Sequence, residues 1–159
     1  MKAEELMTGD LLKSKSEPHL ILQYITWTTR HDLSIALNCS SIKDRSKYLP
    51  PFLENEVEPI PLTDEILRLN GFKFNIIHQS YYQHFNGADV FVSFPKKDIM
   101  YPYVDISYTS LIHNSEDVTK VSHENIVHFH QRVYVHQFQQ FLRLCRMNVF
   151  ANTLIVEQL

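Results

Sequence analysis

Glycine is scarce in this sequence, with only 3 among 159 residues. Loops that cradle phosphate groups need several glycines, because their backbone N–H groups must approach the ligand closely. Neither a GxGxxG spacing nor a GxxxxGK spacing followed by Ser or Thr is present. Nucleotide binding by either of these two routes is therefore excluded.

Cysteine and long apolar runs are also lacking. Cys39 and Cys145 are far apart and neither belongs to a CxxC pair, so the sequence contains no zinc knuckle or redox motif, and we expect two buried free thiols. No apolar run approaches the roughly 20 residues that cross a bilayer. The start, Met1–Glu5, lacks the apolar segment of a signal peptide. We therefore expect a cytoplasmic protein without a membrane partner.

Positive charge is not in excess either, because 15 Lys and Arg stand against 18 Asp and Glu, for a net charge of −3. Such a chain has no basic field to attract a phosphate backbone, which argues against nucleic-acid binding. Its 44% apolar and 21% charged composition is typical of globular proteins. The length suits one domain with a core of its own, so we expect a single domain over residues 1–159.

Short apolar runs predict strands in the first fifty residues, at Leu11–Leu12, Leu20–Ile25 and Leu33–Leu37. One arrangement open to such strands is a small SH3-like barrel. The segment Tyr48–Pro61 contains four prolines, and we interpret it as an extended connection because proline cannot donate to a central ladder. It offers a subdivision into a strand-rich part, residues 1–58, and an α+β part, residues 59–159.

A short helix with two marked ends is predicted over residues 62–71. Thr63 is placed to cap its first turn, Asp64 and Glu65 suit the positive end of the helix dipole, and Gly71 suits a left-handed stop. Strands are predicted beyond it at residues 72–77, 88–94 and 101–108, with a hairpin connection at residues 95–98. No helix-length crossover separates these strands, so they predict an antiparallel sheet and an α+β fold.

A second, amphipathic helix is predicted over Arg132–Arg146. One arc is apolar, and it holds Tyr134, Val135, Phe138, Phe141, Leu142 and Cys145. The opposite arc holds Arg132, His136, Gln139, Arg143 and Arg146, and its ordinary interpretation is a solvated face. The functional interpretation is a partner-binding or phosphate-contacting face, and its candidate partner-binding residues are Arg132, His136, Gln139 and Arg143. Residues 154–156 beyond the helix could add an edge strand or dock as a tail.

The nine histidines are the one compositional excess that suggests chemistry. His128 and His130 are separated by one residue, a spacing that metal sites use on strands, and His123 and His136 lie nearby in sequence. Surface or core histidines explain the same pattern, because no HExxH or Asp-rich motif accompanies it. No nucleophile or carboxylate pair has a recognisable setting. We therefore predict neither catalytic residues nor a cofactor.

Two blocks of sequence resemble a known pattern. The segment Pro59–Leu67, closed by Gly71-Phe72, and the segment Tyr134–Gln139 resemble conserved blocks of an uncharacterised group of small proteins encoded in prophages and mobile elements of gut anaerobes. The segment Glu5–Asp10 is similar to the opening turn of that group. The resemblance implies a bacterial or phage accessory protein of no known activity, with His136 and Gln137 as positions to test. Members of the group end soon after the histidine block, whereas this chain continues.

These observations favour a non-enzymatic interaction module of a phage or mobile element, with a protein partner. The alternative from another class is a metal-dependent hydrolase or nuclease that uses His123, His128, His130 and His136. A third possibility, single-stranded nucleic-acid binding through a barrel and exposed aromatic residues, is disfavoured by the net charge.

Overall fold

The structure is a computed structural model that describes residues 2–32, 34–43, 49–85, 88–94, 103–113, 119–130 and 132–156. Within residues 103–130, side chains are described at positions 106–109, 127 and 129. The chain forms two compact units, one from residues 1–62 and 134–159 and the other from residues 63–133. The single domain and its subdivision near residue 58 stay predictions.

The predicted α+β fold is confirmed, with two antiparallel sheets and a C-terminal helix. The described strands are β1 (Leu11–Ser14), β2 (Ile21–Thr29), β3 (Ile35–Ser41), β4 (Phe52–Leu53), β5 (Val57–Pro59), β6 (Lys73–Asn75), β7 (Ser80–Phe85), β8 (Ala88–Ser93), β9 (Tyr103–His113) and β10 (Thr119–His130). The described α-helices are α1 (Asp64–Leu69), α2 (Val135–Leu144) and α3 (Asn148–Asn152). Each of these helices is too short, or too polar, to cross a bilayer.

The sheet of the first unit is open, with the strand order β4-β3-β2-β1-β5. The barrel suggested by the sequence is therefore not formed by the described strands. Its two edge strands, of two and three residues, lie in the proline-rich segment that we predicted to be a plain connection. A 3-10 turn at Glu54–Glu56 separates them. Proline at the sheet edge is expected, because its missing N–H removes a ladder hydrogen bond, and strands this short leave the sheet open.

The core of the first unit lies under this sheet and contains one cluster of buried side chains. Its members are Ala3, Leu6, Leu12, Leu22, Tyr24, Leu37, Cys39 and Val57. Along the first half of β2, the buried Leu22 and Tyr24 alternate with less buried positions, as a strand with one face on the core should, whereas β1 buries both Leu11 and Leu12. Helix α2 contacts β1, and its apolar residues Val135, Phe138 and Leu142 are fully buried.

The second unit carries the antiparallel sheet β10-β9-β8-β7-β6. Pairing of β8 with β9 confirms the predicted antiparallel neighbours, whereas the predicted connection at residues 95–98 lies outside the described residues. The strand predicted over residues 72–77 is shorter, because Asn75 Oδ1 accepts the N–H groups of Ile77 and His78 and opens a turn. Strand β7 then returns beside β6, which the sequence pattern did not predict.

Helix α1 begins and ends as predicted. Thr63 Oγ1 accepts the N–H of Ile66 at 3.3 Å, which satisfies one of the free donors of the first turn. At the other end, Gly71 has a φ of +86°, its N–H donates to Arg68 O, and the N–H of Phe72 donates to Leu67 O. These two bonds form a Schellman motif, which requires a left-handed residue.

Removal of the capping interaction at either end of α1 should therefore destabilise the protein. Thr63→Ala should cost about 0.5–2 kcal/mol of unfolding free energy. Gly71→Val should cost more, because a β-branched side chain resists positive φ, while Gly71→Asn should cost less than Gly71→Val, since Asn tolerates that conformation. Thermal melts of the three variants check the order. Equal melting of Gly71→Val and wild type would contradict the assignment.

Helix α2 lies inside its predicted range of residues 132–146, and it ends at Leu144 because Arg146 adopts a φ of +63°. The N–H groups of Arg146 and Met147 donate to Arg143 O and Leu142 O, a second Schellman motif with Arg in the place of Gly. The chain then forms α3, which the sequence did not predict. Leu154 and Val156 are buried, so residues 154–156 dock as a tail, one of the two predicted outcomes.

Candidate interaction site

Three residues on the polar arc of α2 are largely withdrawn from solvent, whereas Arg132 and Arg146 are exposed. His136 is 4% exposed and Gln139 is fully buried, and the Arg143 side chain is only 10% exposed. The expectation that these residues face solvent is therefore wrong, and of the four predicted partner-binding residues Arg132 alone is exposed. The helical arcs were assigned correctly, but the N-terminal turn and α3 cover the arc that a lone helix would leave in water.

Arg143 meets its counter-ion at the start of β1. Asp10 is fully buried, and its Oδ1 accepts a hydrogen bond from Arg143 Nη1. At its other oxygen it accepts Gln140 Nε2 at 2.8 Å and the N–H of Met7 at 2.9 Å. Three donors to one carboxylate compensate the burial of its charge. The pair thus ties the end of α2 to the turn that leads into β1.

Gln139 makes three hydrogen bonds to backbone groups of two segments, residues 9–11 and α3. Its Oε1 accepts the N–H of Leu11 at 2.9 Å, and its Nε2 donates to Ala151 O at 2.7 Å and to Gly9 O at 3.2 Å. A buried amide that satisfies three backbone groups acts as an internal crosslink. We call Asp10, Gln139, Gln140 and Arg143 the polar clamp, and its arrangement indicates a structural role.

Two observations favour glycine at position 9, in the turn before Asp10. Gly9 has a φ of +95°, a conformation that side chains other than glycine adopt at a cost. A Cβ at this position would lie 3.0 Å from Arg143 Nη2 and 3.1 Å from Asn152 Oδ1. The resemblance noted for Glu5–Asp10 therefore falls on the turn that contacts α2 and α3, and its residues have a structural task there.

His136 lies beside the clamp with one ring nitrogen unsatisfied. Its Nδ1 is buried and has no hydrogen-bond partner among the described residues, and its ring stacks on Tyr134 with centroids 5.9 Å apart. Burial lowers the pKa of His136, and the charges of Asp10 and Glu5 oppose this shift without reversing it. The folded chain therefore disfavours the imidazolium.

Acidification should consequently destabilise the fold through His136. Because its folded pKa lies below the unfolded value of about 6.5, the unfolded state binds more protons, and stability falls as the pH drops below about 6.5 toward the folded pKa. Urea unfolding at a series of pH values from neutral downward checks this. His136→Gln should flatten that part of the profile, whereas His19→Gln, at an exposed site, should leave it unchanged.

No cluster of described side chains supports the metal-dependent alternative. His123, His128 and His130 lie on β10, and their side chains are outside the described set. Within the part of the chain that the structure describes, no three His, Cys, Asp or Glu side chains cluster as a metal site. The metal-dependent alternative stays a prediction. The buried free thiols are confirmed, and burial raises the pKa of Cys39 to about 12 and of Cys145 to about 11.

A more exposed feature is the far half of β2. Strand β1 pairs with β2 only as far as Gln23, and its leading turn adds hydrogen bonds to Tyr24. A bulge follows between Tyr24 and Thr26. From Thr26 to Thr29, β2 pairs with β3 alone. This stretch therefore has one paired edge and, among the described residues, one unpaired edge.

The direction of the peptide groups identifies which residues face that unpaired edge. The N–H of Arg30 donates to Ser34 O, toward the β3 side. Peptide groups alternate in direction along an antiparallel strand, so Thr28 and Thr26 face β3, while Thr29 and Trp27 face away from it. No described strand pairs with this second side. Among the described residues, the N–H and C=O of Trp27 and of Thr29 have no backbone partner.

Side chains along the same stretch are exposed on both faces of β2. Thr26, Trp27, Thr28 and Thr29 are all exposed, and Trp27, the one tryptophan of the chain, is 42% exposed. The hairpin tip is fixed by Asp32, which accepts the N–H and hydroxyl of Ser34. These hydrogen bonds lower the pKa of Asp32. We call residues 26–32 the β2 arm.

A shallow depression marks the base of the β2 arm. It encloses about 260 Å³ and is lined by Thr8, Gly9, Gln23, Tyr24, Ile25 and Asn152. Thr8 Oγ1 donates to Ile25 O at 2.8 Å and so ends the free edge on this side. An added strand can therefore run along residues 26–30, with the depression at one end.

The chain matches no protein family, curated protein or solved structure. The geometry of the β2 arm is therefore the evidence for its function. That geometry combines free peptide groups on an ordered strand, an exposed aromatic residue and a bounded length. The sequence prediction missed it, because it ended this strand at Ile25. The run of β-branched and aromatic residues at Thr26–Thr29 is the signal that could have extended the strand.

Proposed function

We propose that this chain is a non-enzymatic interaction module that binds an extended segment of a protein along the free edge of β2, with Trp27 as the anchor. The observation that carries the proposal is the outward direction of the Trp27 and Thr29 peptide groups, in a stretch of β2 that pairs, among the described strands, with β3 alone. Addition of a strand to such an edge is a common mode of peptide recognition, because main-chain hydrogen bonds supply affinity.

The side chains on the β2 arm support the same function. Tryptophan is enriched among the residues that dominate binding energy, and an indole that is partly exposed on a strand can be covered by an added chain. Three threonines surround Trp27 and suit a strand that must remain soluble when unpaired. The predicted partner class, a protein, is retained, while the proposed surface moves from α2 to β2.

A selection of displayed linear peptides tests the proposal. Peptides enriched on the wild type should bind Thr29→Val, which keeps the outward N–H, and should lose binding to Thr29→Pro, which removes that N–H and fixes φ at position 29. Trp27→Ala should weaken the same peptides by at least about tenfold, the loss typical of an anchor residue. Peptides that bind Thr29→Pro as well as wild type, or a failure to enrich any peptide, would contradict the proposal.

The biological setting is also a proposal. An accessory role in a phage or mobile element is supported by the resemblance of Pro59–Leu67 and Tyr134–Gln139 to proteins of that origin. A cytoplasmic location is supported by the sparing use of cysteine. Expression of a tagged chain in a bacterial host, followed by fractionation, tests the location, and recovery in the membrane or periplasmic fraction would contradict it.

A further inference from the structure

We propose that the free edge of β2 pairs with the same edge of a second copy of this chain, in an antiparallel register centred on Thr28. This inference rests on the function proposed above and specifies the partner. It starts from the alternation of peptide groups along the β2 arm, where Trp27 and Thr29 face outward and Thr28 faces β3. A register must place outward groups opposite outward groups.

Centring the pair on Thr28 satisfies this condition. Trp27 then lies opposite Thr29 of the second copy, and Thr29 opposite its Trp27, so the outward N–H and C=O groups of both residues form four interchain hydrogen bonds. Thr28 lies opposite its own counterpart as a non-hydrogen-bonded pair, in which side chains approach most closely. Such two-fold pairing is the usual symmetry of a homodimer.

The side chains are complementary in the same register. Each Trp27 meets a threonine, and aromatic and β-branched neighbours across strands are favourable, as are paired threonines. Arg30 lies opposite Thr26 of the second copy, so no like charges meet across the paired strands. The native sequence is therefore self-complementary in this register.

The paired stretch is short, and this limits the strength of the dimer. Thr8 closes the free edge at Ile25, and Arg30 turns back to Ser34, which leaves about five residues in each strand. An interface of this length falls below the area of stable dimers, so we expect weak association. The association should depend visibly on concentration.

Charge substitutions at Thr28 test the register directly, because this residue meets itself. In sedimentation equilibrium, the weight-average mass of the wild type should rise with concentration from that of the 18.8 kDa monomer toward the dimer. Thr28→Lys and Thr28→Asp should each weaken association about two- to fivefold by like-charge contact. An equimolar mixture of the two variants should regain it, and Thr28→Val should keep it.

Several outcomes would overturn the inference. They are a chain that stays monomeric at the highest concentration, association that the two charged variants do not weaken, and a mixture that fails to recover. The peptide selection with Thr29→Pro is independent of these results. If self-association fails while selected peptides still require the Thr29 N–H, the edge binds another protein, and the function proposed above stands without this partner.

Discussion

Asp10→Ala should destabilise the first unit by about 3–5 kcal/mol, the cost typical of removing one member of a buried ion pair. The substitution leaves the guanidinium of Arg143, 10% exposed, with Asn152 Oδ1 at 3.2 Å as its described side-chain partner. It also leaves Gln140 Nε2 and the N–H of Met7 without their carboxylate acceptor. Chemical unfolding followed by circular dichroism measures the loss.

A surface ion pair of the same unit supplies the matched control. Glu58 pairs with Lys13 at 3.0 Å, and both side chains are about a third exposed. Glu58→Ala should therefore cost no more than about 1 kcal/mol. In the double variant Asp10→Ala, Arg143→Met, part of the loss should be recovered, because the uncompensated charge is gone. Equal effects of Asp10→Ala and Glu58→Ala would show that the polar clamp is not a buried unit.

Gln139→Leu should lower the free energy of unfolding by about 3 kcal/mol or more, although the two side chains are similar in volume. The change leaves three backbone groups without their partner, the N–H of Leu11 and the carbonyls of Gly9 and Ala151. Each unsatisfied buried group costs about 1–3 kcal/mol. The unfolding free energy, measured in urea, gives the value.

A second glutamine on α2 serves as the comparison for that loss. Gln137 Oε1 accepts a single hydrogen bond, from the N–H of Tyr134 at 3.0 Å. Gln137→Leu should cost only about 1 kcal/mol, the value of one cap interaction. If Gln139→Leu were as mild as Gln137→Leu, water would be replacing the lost partners, and Gln139 would not crosslink the segments.

Sequence reasoning succeeded where the determining contacts are local. Helix α1 carries both of its end signals within ten residues, and Thr63 and Gly71 act as predicted. The strands around Leu11, Leu22 and Val90 follow from the spacing of apolar residues, which burial confirms. Short-range patterns of this kind do not depend on which segment packs against which.

The predictions from sequence were wrong where a distant segment determines the environment of a side chain. The arc of α2 that holds Gln139 is polar in any helical projection, and only the folded chain brings Gly9 and Ala151 to it. One signal was available, because no acidic residue follows Glu124 until Glu157. Arg143 therefore had to find its counter-ion elsewhere in the chain, and Asp10 supplies it.

The free edge of β2 is another feature that distant segments determine. The pattern of Thr26–Thr29 is compatible with a strand, but no residue in it indicates that β1 stops pairing at Gln23. Edges arise from the lengths of neighbouring strands and from the path of the N-terminal turn. Both are properties of the assembled sheet, so the candidate interaction site could not be read from local sequence.

Amide hydrogen exchange tests the free edge of β2 most directly. In dilute protein, the amides of Trp27 and Thr29 should exchange at rates close to those of an unfolded chain, while those of Thr26 and Thr28, bonded to β3, should be protected. At high protein concentration, or with a selected peptide, Trp27 and Thr29 should become protected as well. Protection of all four amides in the dilute monomer would contradict the account, because the edge would then already be paired.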